Sequence, residues 1–248
     1  MSWWRWRTLD YNGVRMNPGV SILIPTYGRT SLLKECVYSA LSQVWSGRIE
    51  IIVLNDCVEQ QIQPISGVLV INAPQRYATL GDKRTALVRL ATMDRLQMWD
   101  DDDIALPDHV AKSVASLDRS KCPAVRSTLG YVMDGTSVTV WNNQPFHSAT
   151  MWTEAMLSLM PYASMDDNED IELCQRAIAK GWFLGDETIV PHGTPTWIYR
   201  PSVSTQHATK VGKLTLDTSE PTGAVDIVPI WDSDYAILVR NAGKPVIG

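Results

Sequence analysis

Long apolar runs are missing from this chain: nowhere do 18 apolar residues follow one another, and the opening MSWWRWRTLDYNG holds no apolar stretch of signal-peptide length. The expectation is a soluble cytoplasmic protein with no transmembrane contact, its economy of size suiting a bacterial or phage-infected cell. Cysteine is scarce as well. Cys36, Cys57, Cys122 and Cys174 are widely spaced without a C-x-x-C pair, so buried, reduced thiols are expected in preference to disulfides or a zinc site. An excess of positive charge is also lacking: 22 basic against 27 acidic side chains leave a net charge of −5. A duplex-DNA or membrane-surface binder would therefore need a local basic patch. No internal repeat or low-complexity tract is visible.

What is present is material for a core. The chain has 248 residues, 45% of them hydrophobic and 20% charged, which excludes overall disorder and allows one large domain or two closely packed halves. At the start, Trp3, Trp4 and Trp6 interleave with Arg5 and Arg7. Such an arm could stack on bases, sit at a membrane interface, or fold back onto the domain.

VSILI (20–24) stops at Pro25, the profile of a buried parallel strand. From Thr30 the apolar positions Leu32, Leu33, Cys36, Val37, Ala40 and Leu41 predict a helix capped by Thr30 or Ser31. IEIIVLND (49–56) reads as a second buried strand and Ile65–Asn72 contains a third. A helix beginning at Gly81 carries the stripe Ala86, Leu87, Leu90 and Ala91, and LQMW (96–99) then runs straight into four aspartates. Strand and helix alternating through short loops predict an open α/β sheet with parallel strands. Such sheets bind ligands past the carboxyl ends of their strands, which directs attention to Pro25-Thr26-Tyr27, Asn55-Asp56 and Asp100–Asp103.

After Pro107 the pattern becomes mixed α+β. A helix carries Val110, Val114 and Leu117, and a hairpin turns at Asp134-Gly135. Another helix starts near Asn168, with Ile171, Cys174, Ala177 and Ile178 on one face, and stops at Gly181. VDIVPI and YAILVR read as strands of a small appendage.

Four adjacent carboxylates repel one another, and such a run is ordinarily a solvated face. At a strand end on the ligand-binding edge it reads instead as a clamp for Mn²⁺ or Mg²⁺, with the ion bridging to phosphate oxygens.

The blocks VSILIPTYGR (20–29), IEIIVLND (49–56), LGDKRTAL (80–87), WDDDDIALP (99–107) and NEDIELCQRAIAKGW (168–182) together resemble the family 2 glycosyltransferases of the GT-A fold, over roughly residues 18–207. Five blocks in order are far more specific than a lone D-x-D. The resemblance implies an α/β, single GT-A domain at 19–214, with a mostly parallel nucleotide-binding half to about residue 107 and a mixed acceptor half after it. An aromatic and basic arm at 1–18 and an extension at 215–248 flank it.

By the same resemblance, Pro25, Thr26 and Tyr27 line a nucleoside pocket and Asp56 hydrogen-bonds the base, usually uracil. A strand-end carboxylate can accept from an imide N–H, and an aromatic ring can support a base plane. For Tyr27 the plain alternative is an ordinary loop aromatic. Arg29, Lys83 and Arg84 stand where basic groups could steady a diphosphate, or where they are surface charges. Asp100 and Asp102 align with the D-x-D pair, Asp102 as direct metal ligand and Asp100 toward the ribose or the metal through water. Asp101 falls at the variable position of the nucleotide-binding run and Asp103 is structural, within a register uncertainty of one.

Glu169-Asp170 resembles the family's E-D motif, making Asp170 the catalytic base of an inverting enzyme beside Glu169. The plain alternative is that Asp166, Asp167, Glu169 and Asp170 complement a helix dipole. Leu173 and Arg176 follow where the family has a leucine and an arginine. His207, in STQHATK, is preferred over His192 as the histidine completing the metal site; the nearby Lys210 and Lys213 suit a loop that closes over a diphosphate. His147 is expected on the acceptor side and His109 exposed on its helix.

The expected activity is hexosyltransferase-like: inverting, metal-dependent transfer from a nucleotide sugar, UDP-linked by resemblance, to a hydroxyl. A sugar nucleotidyltransferase would need a glycine-rich loop after the first strand, and PTYGR has one glycine. A non-catalytic nucleotide or carbohydrate binder on the same fold is the third reading. For the acceptor, soluble or peripherally reached glycans and a hydroxylated DNA base all stay open.

Overall fold

Alternation of side chains along two central strands decides the layers. In the computed structural model, which describes residues 17–127, 129–134, 137–141, 147–184, 195–200 and 220–230, β1 (Asn17–Thr26) and β2 (Ile49–Asn55) run parallel, with Thr26 opposite Asn55. Val20, Ile22, Ile24, Ile51 and Val53 face one way, and Leu23, Ile52 and Leu54 the other. On the first face lie α1 (Thr30–Leu41) and α3 (His109–Ser120); on the second lie α2 (Leu80–Leu90), α4 (Glu154–Leu159) and α5 (Glu169–Ala179). The result is a sheet covered by helices on both sides, as buried parallel strands require.

The remaining strands are β3 (Gln60–Ile62), β4 (Leu69–Asn72), β5 (Met93–Met98), β6 (Ile104–Ala105), β7 (Ala124–Arg126), β8 (Gly130–Asp134), β9 (Ser137–Trp141), β10 (Thr150–Thr153), β11 (Phe183–Leu184), β12 (Trp197–Tyr199) and β13 (Gly223–Val225). Among the described residues the main sheet has the order β11-β7-β10-β5-β1-β2-β4. Its strands share one direction except β10, which pairs antiparallel with both neighbours. A second sheet, β6-β12-β8-β9, and a parallel pair, β13-β3, complete the strands.

Several local expectations change in the folded chain. At the start of α1, Arg29 occupies the N-cap position without a side-chain cap bond, and the Thr30 N–H and hydroxyl both donate to Glu220, 190 residues away. The cap comes from tertiary contact, so local sequence could not display it. On α2 the buried face is Gly81, Lys83, Arg84, Leu87 and Val88, whereas Leu90 is exposed. Two of those residues are cations that found carboxylates, so hydropathy gave a stripe rotated toward the outside. On α5 the inward residues are Glu169, Leu173, Cys174 and Ala177, while Ile171 and Ile178 face outward. In the hairpin Asp134 pairs with Ser137, which makes Asp134 the last strand residue rather than a turn residue. Val225 alone of VDIVPI lies in a strand, and YAILVR and the residue 1–16 arm lie outside the described residues. The four cysteines carry no disulfide; Cys122 is half-buried and the others are buried. No helix among the described residues is long and apolar enough to cross a membrane.

Candidate functional site

Parallel pairing brings three strand ends to one edge. Because Leu23 lies opposite Met98, the chain beyond β5 draws level with Thr26 at Asp101, and the Thr26 hydroxyl donates to Asp101 Oδ2 at 2.6 Å. Between β1 and α1 the chain reverses through Gly28, whose φ of 63° lies in the left-handed region that glycine adopts without Cβ strain. That turn sends Arg29 across the edge. Its guanidinium grips Asp101 with two nitrogens and reaches Asp102 Oδ2 with Nη1 at 2.8 Å.

The aspartates alternate in exposure. The side chains of Asp100 and Asp102 are 27% and 11% accessible while that of Asp101 is 0%, and Asp103 is 1% accessible as a residue. The turn is closed by Asp103 N–H donating to the Asp100 carbonyl at 3.0 Å. Burial pushes Asp101 up to about 6, against the pull of Arg29. Burial, with Asp102 and Asp100 nearby, holds Asp103 well above the usual carboxylate range. Asp103 Oδ2 accepts from Ser148 Oγ at 2.7 Å and Trp197 Nε1 at 3.1 Å, so its work is inside the fold. Asp100 and Asp102 keep the more accessible side chains of the run, Asp100 with Oδ1 accepting from Arg84 and Oδ2 from Ser148 at 3.0 Å, and Asp102 with Oδ2 accepting from Arg29.

At the end of β2, Asp56 is buried with both oxygens engaged: Lys83 Nζ donates to Oδ1 at 2.5 Å and Tyr77 N–H to Oδ2 at 3.1 Å. Lys83 also donates to the Thr26 carbonyl at 2.5 Å, tying the first two strand ends together. Burial lowers the Lys83 pKa although Asp56 opposes it. Tyr27 is half-buried, and the Arg76 guanidinium lies 4.5 Å from its ring centre. Burial raises the Tyr27 phenol. Pro25, paired opposite Leu54, lies buried two positions before Tyr27.

Arg84 joins the two halves of the domain. Nη2 donates to Asp100 Oδ1 at 2.7 Å and Nη1 lies 2.9 Å from Glu169 Oε1 at the start of α5. Burial opposes its charge, but Asp100 and Glu169 hold the guanidinium above its ordinary pKa. Burial lifts Glu169 to about 7, partly offset by Arg84. Asp170 is half-buried on the next position, its Oδ1 accepting from Ile171 N–H at 2.7 Å. On the same helix Leu173 is buried, and Arg176 pairs with Glu172 at 2.6 Å and donates to the Pro161 carbonyl.

Asp56, Asp100–Asp102, Arg29, Lys83, Arg84, Glu169 and Asp170 are thus brought into one neighbourhood. His207, His192, Lys210 and Lys213 lie outside the described residues. His109 corrects the expectation of exposure: it is fully buried, hydrogen-bonded to the Thr196 hydroxyl at 2.8 Å and packed against Trp99 and Trp197. His147 is buried too, with Nε2 3.0 Å from the Tyr162 hydroxyl. Burial drives both rings down to about 3, so each stays neutral.

Sequence patterns do not mark Glu35 or Ser148, whereas Arg200 stands in WIYRPSVSTQHA, which resembles the family's aromatic–Arg–x–His region. Arg200 is buried, donates to the Asp102 carbonyl and pairs with Glu35 on α1. Glu35 sits at a core position of α1 that hydropathy treats as polar surface. Among the described residues no three His, Cys, Asp or Glu side chains are arranged to hold a metal ion.

The model of glycosyl transferase family 2 matches residues 21–180. No curated protein matches the chain. Among solved structures, S. aureus TarS 1-349 in complex with UDP-GlcNAc is similar at a TM-score of 0.61 and 12% identity, over 79% of this chain and 61% of that one. The same fragment in complex with UDP gives 0.58 and 12%, over 73% and 60%. S. aureus TarS gives 0.55 and 14%, over 74% and 37%. This chain spans about three fifths of the two fragment chains and less of the longer one. The likeness shows a shared GT-A fold.

Proposed function

This chain belongs to glycosyl transferase family 2, and from that premise we propose that it moves a sugar from a UDP-linked nucleotide sugar to a hydroxyl acceptor, with inversion and with a divalent ion. The UDP-GlcNAc and UDP complexes among structures of the same fold support the class of nucleotide sugar. One observation carries the reading: Asp100 and Asp102, the more accessible carboxylates of the aspartate run, share an edge with Asp56, and Asp100 is linked through Arg84 to Glu169 on the helix that bears Asp170.

In this reading Tyr27 supports the base and Asp56 accepts from its imide N–H, held in place by Lys83 and Tyr77. Pro25 and Thr26 form the floor. The carboxylate oxygens suit Mn²⁺ or Mg²⁺: Asp102 would be the direct ligand and Asp100 a ligand or ribose contact, and His207, or else His192, would supply the nitrogen. When bound, the ion supplies positive charge to the departing diphosphate. Lys83, Arg84 and Arg29 all hold carboxylates of this edge, and Arg29, its side chain 23% accessible against 5% for the other two, is the cation placed to turn toward phosphate oxygens.

At the reacting centre the acceptor oxygen bonds to the anomeric carbon as the carbon–oxygen bond to the diphosphate breaks. The hydroxyl proton passes to the Asp170 carboxylate, and UDP carries off the bonding pair. Arg84 is shared between Glu169 and Asp100, which fixes the start of the helix that bears Asp170 against the aspartate run.

Calorimetry of UDP with and without Mn²⁺, together with UDP release from UDP-sugars, tests the assignment. Asp102→Ala abolishes metal-dependent UDP binding; unchanged binding refutes the clamp. Asp170→Asn lowers turnover by about a hundredfold or more while UDP binding persists. A normal rate in that variant places the base elsewhere.

A further inference from the structure

The segment from Glu220 to Val225 lies beyond the stretch matched by the family model, yet it is bonded to both walls of the nucleotide pocket. On the first wall, Glu220 Oε2 accepts from Thr30 N–H at 3.0 Å and the Thr30 hydroxyl at 2.6 Å, and Oε1 accepts from the Ser31 hydroxyl at 2.8 Å. These bonds supply the cap that α1 lacks locally. The residue before Thr30 is Arg29, whose carbonyl starts the helix by accepting from Leu32 and Leu33 and whose guanidinium spans Asp101 and Asp102. On the second wall, Gln60 Nε2 donates to the Pro221 carbonyl at 2.7 Å and Gly223 N–H to the Glu59 carbonyl at 2.7 Å. β13 then pairs with β3 in parallel, Gly223 opposite Gln60. Gln60 in turn is bound through its carbonyl to Asn55 Nδ2 at 2.9 Å, one residue before Asp56.

We propose that Glu220 is a positioning residue for nucleotide-sugar binding. By capping α1 it fixes the turn that aims Arg29, and with the β13 pairing it holds the Arg29 and Asp56 walls at a set separation. This rests on the reading of the strand-end edge as the nucleotide site. The action is geometric: a glutamine carbonyl can accept both Thr30 bonds, and its amide can donate to Ser31. The ring of contacts therefore survives loss of the charge.

The experiment uses the full chain, with the UDP dissociation constant and UDP-sugar KM and kcat read at a temperature well below the midpoint of thermal unfolding. Glu220→Ala weakens UDP binding and raises KM about fivefold with kcat within about twofold, the size expected when one cap is lost. Glu220→Gln returns both values to within about twofold of the parent. Thr30→Ala, which deletes one of the three bonded groups, gives a smaller loss in the same direction and serves if Glu220→Ala does not fold. A lowered unfolding midpoint with unchanged UDP affinity and KM overturns the proposal, and so does a glutamine variant as weak as the alanine one. Failure of the parent protein itself to bind UDP with Mn²⁺ present refutes the underlying site reading instead.

Discussion

Glu169 is 3% accessible and faces Arg84, and burial raises its pKa from 4.5 to about 7. In the unfolded chain the same carboxyl loses its proton near its ordinary value, so between about pH 4.5 and 7 the native state binds more protons than the unfolded one. Stability from this group therefore falls as pH rises through that window and is level above it. Across that window the loss is on the order of 3 kcal/mol. Glu169→Gln removes the slope: urea unfolding at pH 5 and pH 8 shows the variant gaining on the parent at pH 8 by an amount of that order. Equal slopes in the two proteins refute the assignment. At this scale, Asp56 and the aspartate run were legible because each follows an apolar strand directly. His109 was not, because its neutral ring is made acceptable by Thr196, Trp99 and Trp197, which lie in other parts of the sequence.

Helix α2 shows how an element delivers two cations to one edge. Thr79 caps it by accepting from Asp82 N–H at 3.1 Å, and its hydroxyl donates to Asp82 Oδ2 at 2.8 Å, a local signal that sequence can carry. Its docking is tertiary: Gly81 N–H donates to the Met165 carbonyl at 3.1 Å, and a Cβ on Gly81 would stand 1.7 Å from the Ala163 carbonyl oxygen. Gly81→Ala must displace backbone, costing about 3 kcal/mol and lowering Tm by about 6–12 °C. Because Lys83 and Arg84 ride on the same turn, UDP affinity falls with it; calorimetric unfolding and UDP titration check both, and an unshifted Tm refutes the close approach. The buried faces of α2 and α5 were misread for one reason. Periodicity assumes that charge stays outside, and here Lys83, Arg84 and Glu169 are inside because each finds an opposite charge.

For the whole molecule, the order of strands and helices followed from the chain itself: short apolar runs ending in polar residues, alternating with helical stripes, leave few arrangements except a parallel sheet covered on both faces. The edge where the strand ends gather followed too, since every parallel strand delivers its end there. Tertiary structure alone decided what each charged group at that edge does, because partners come from far apart in sequence. Lys83 is 27 residues from Asp56, Arg200 is 98 from Asp102, and Glu220 is 190 from Thr30. A pattern of hydropathy records burial but not the identity of a distant counter-charge, and in a buried edge that counter-charge sets both where a side chain points and which proton it keeps.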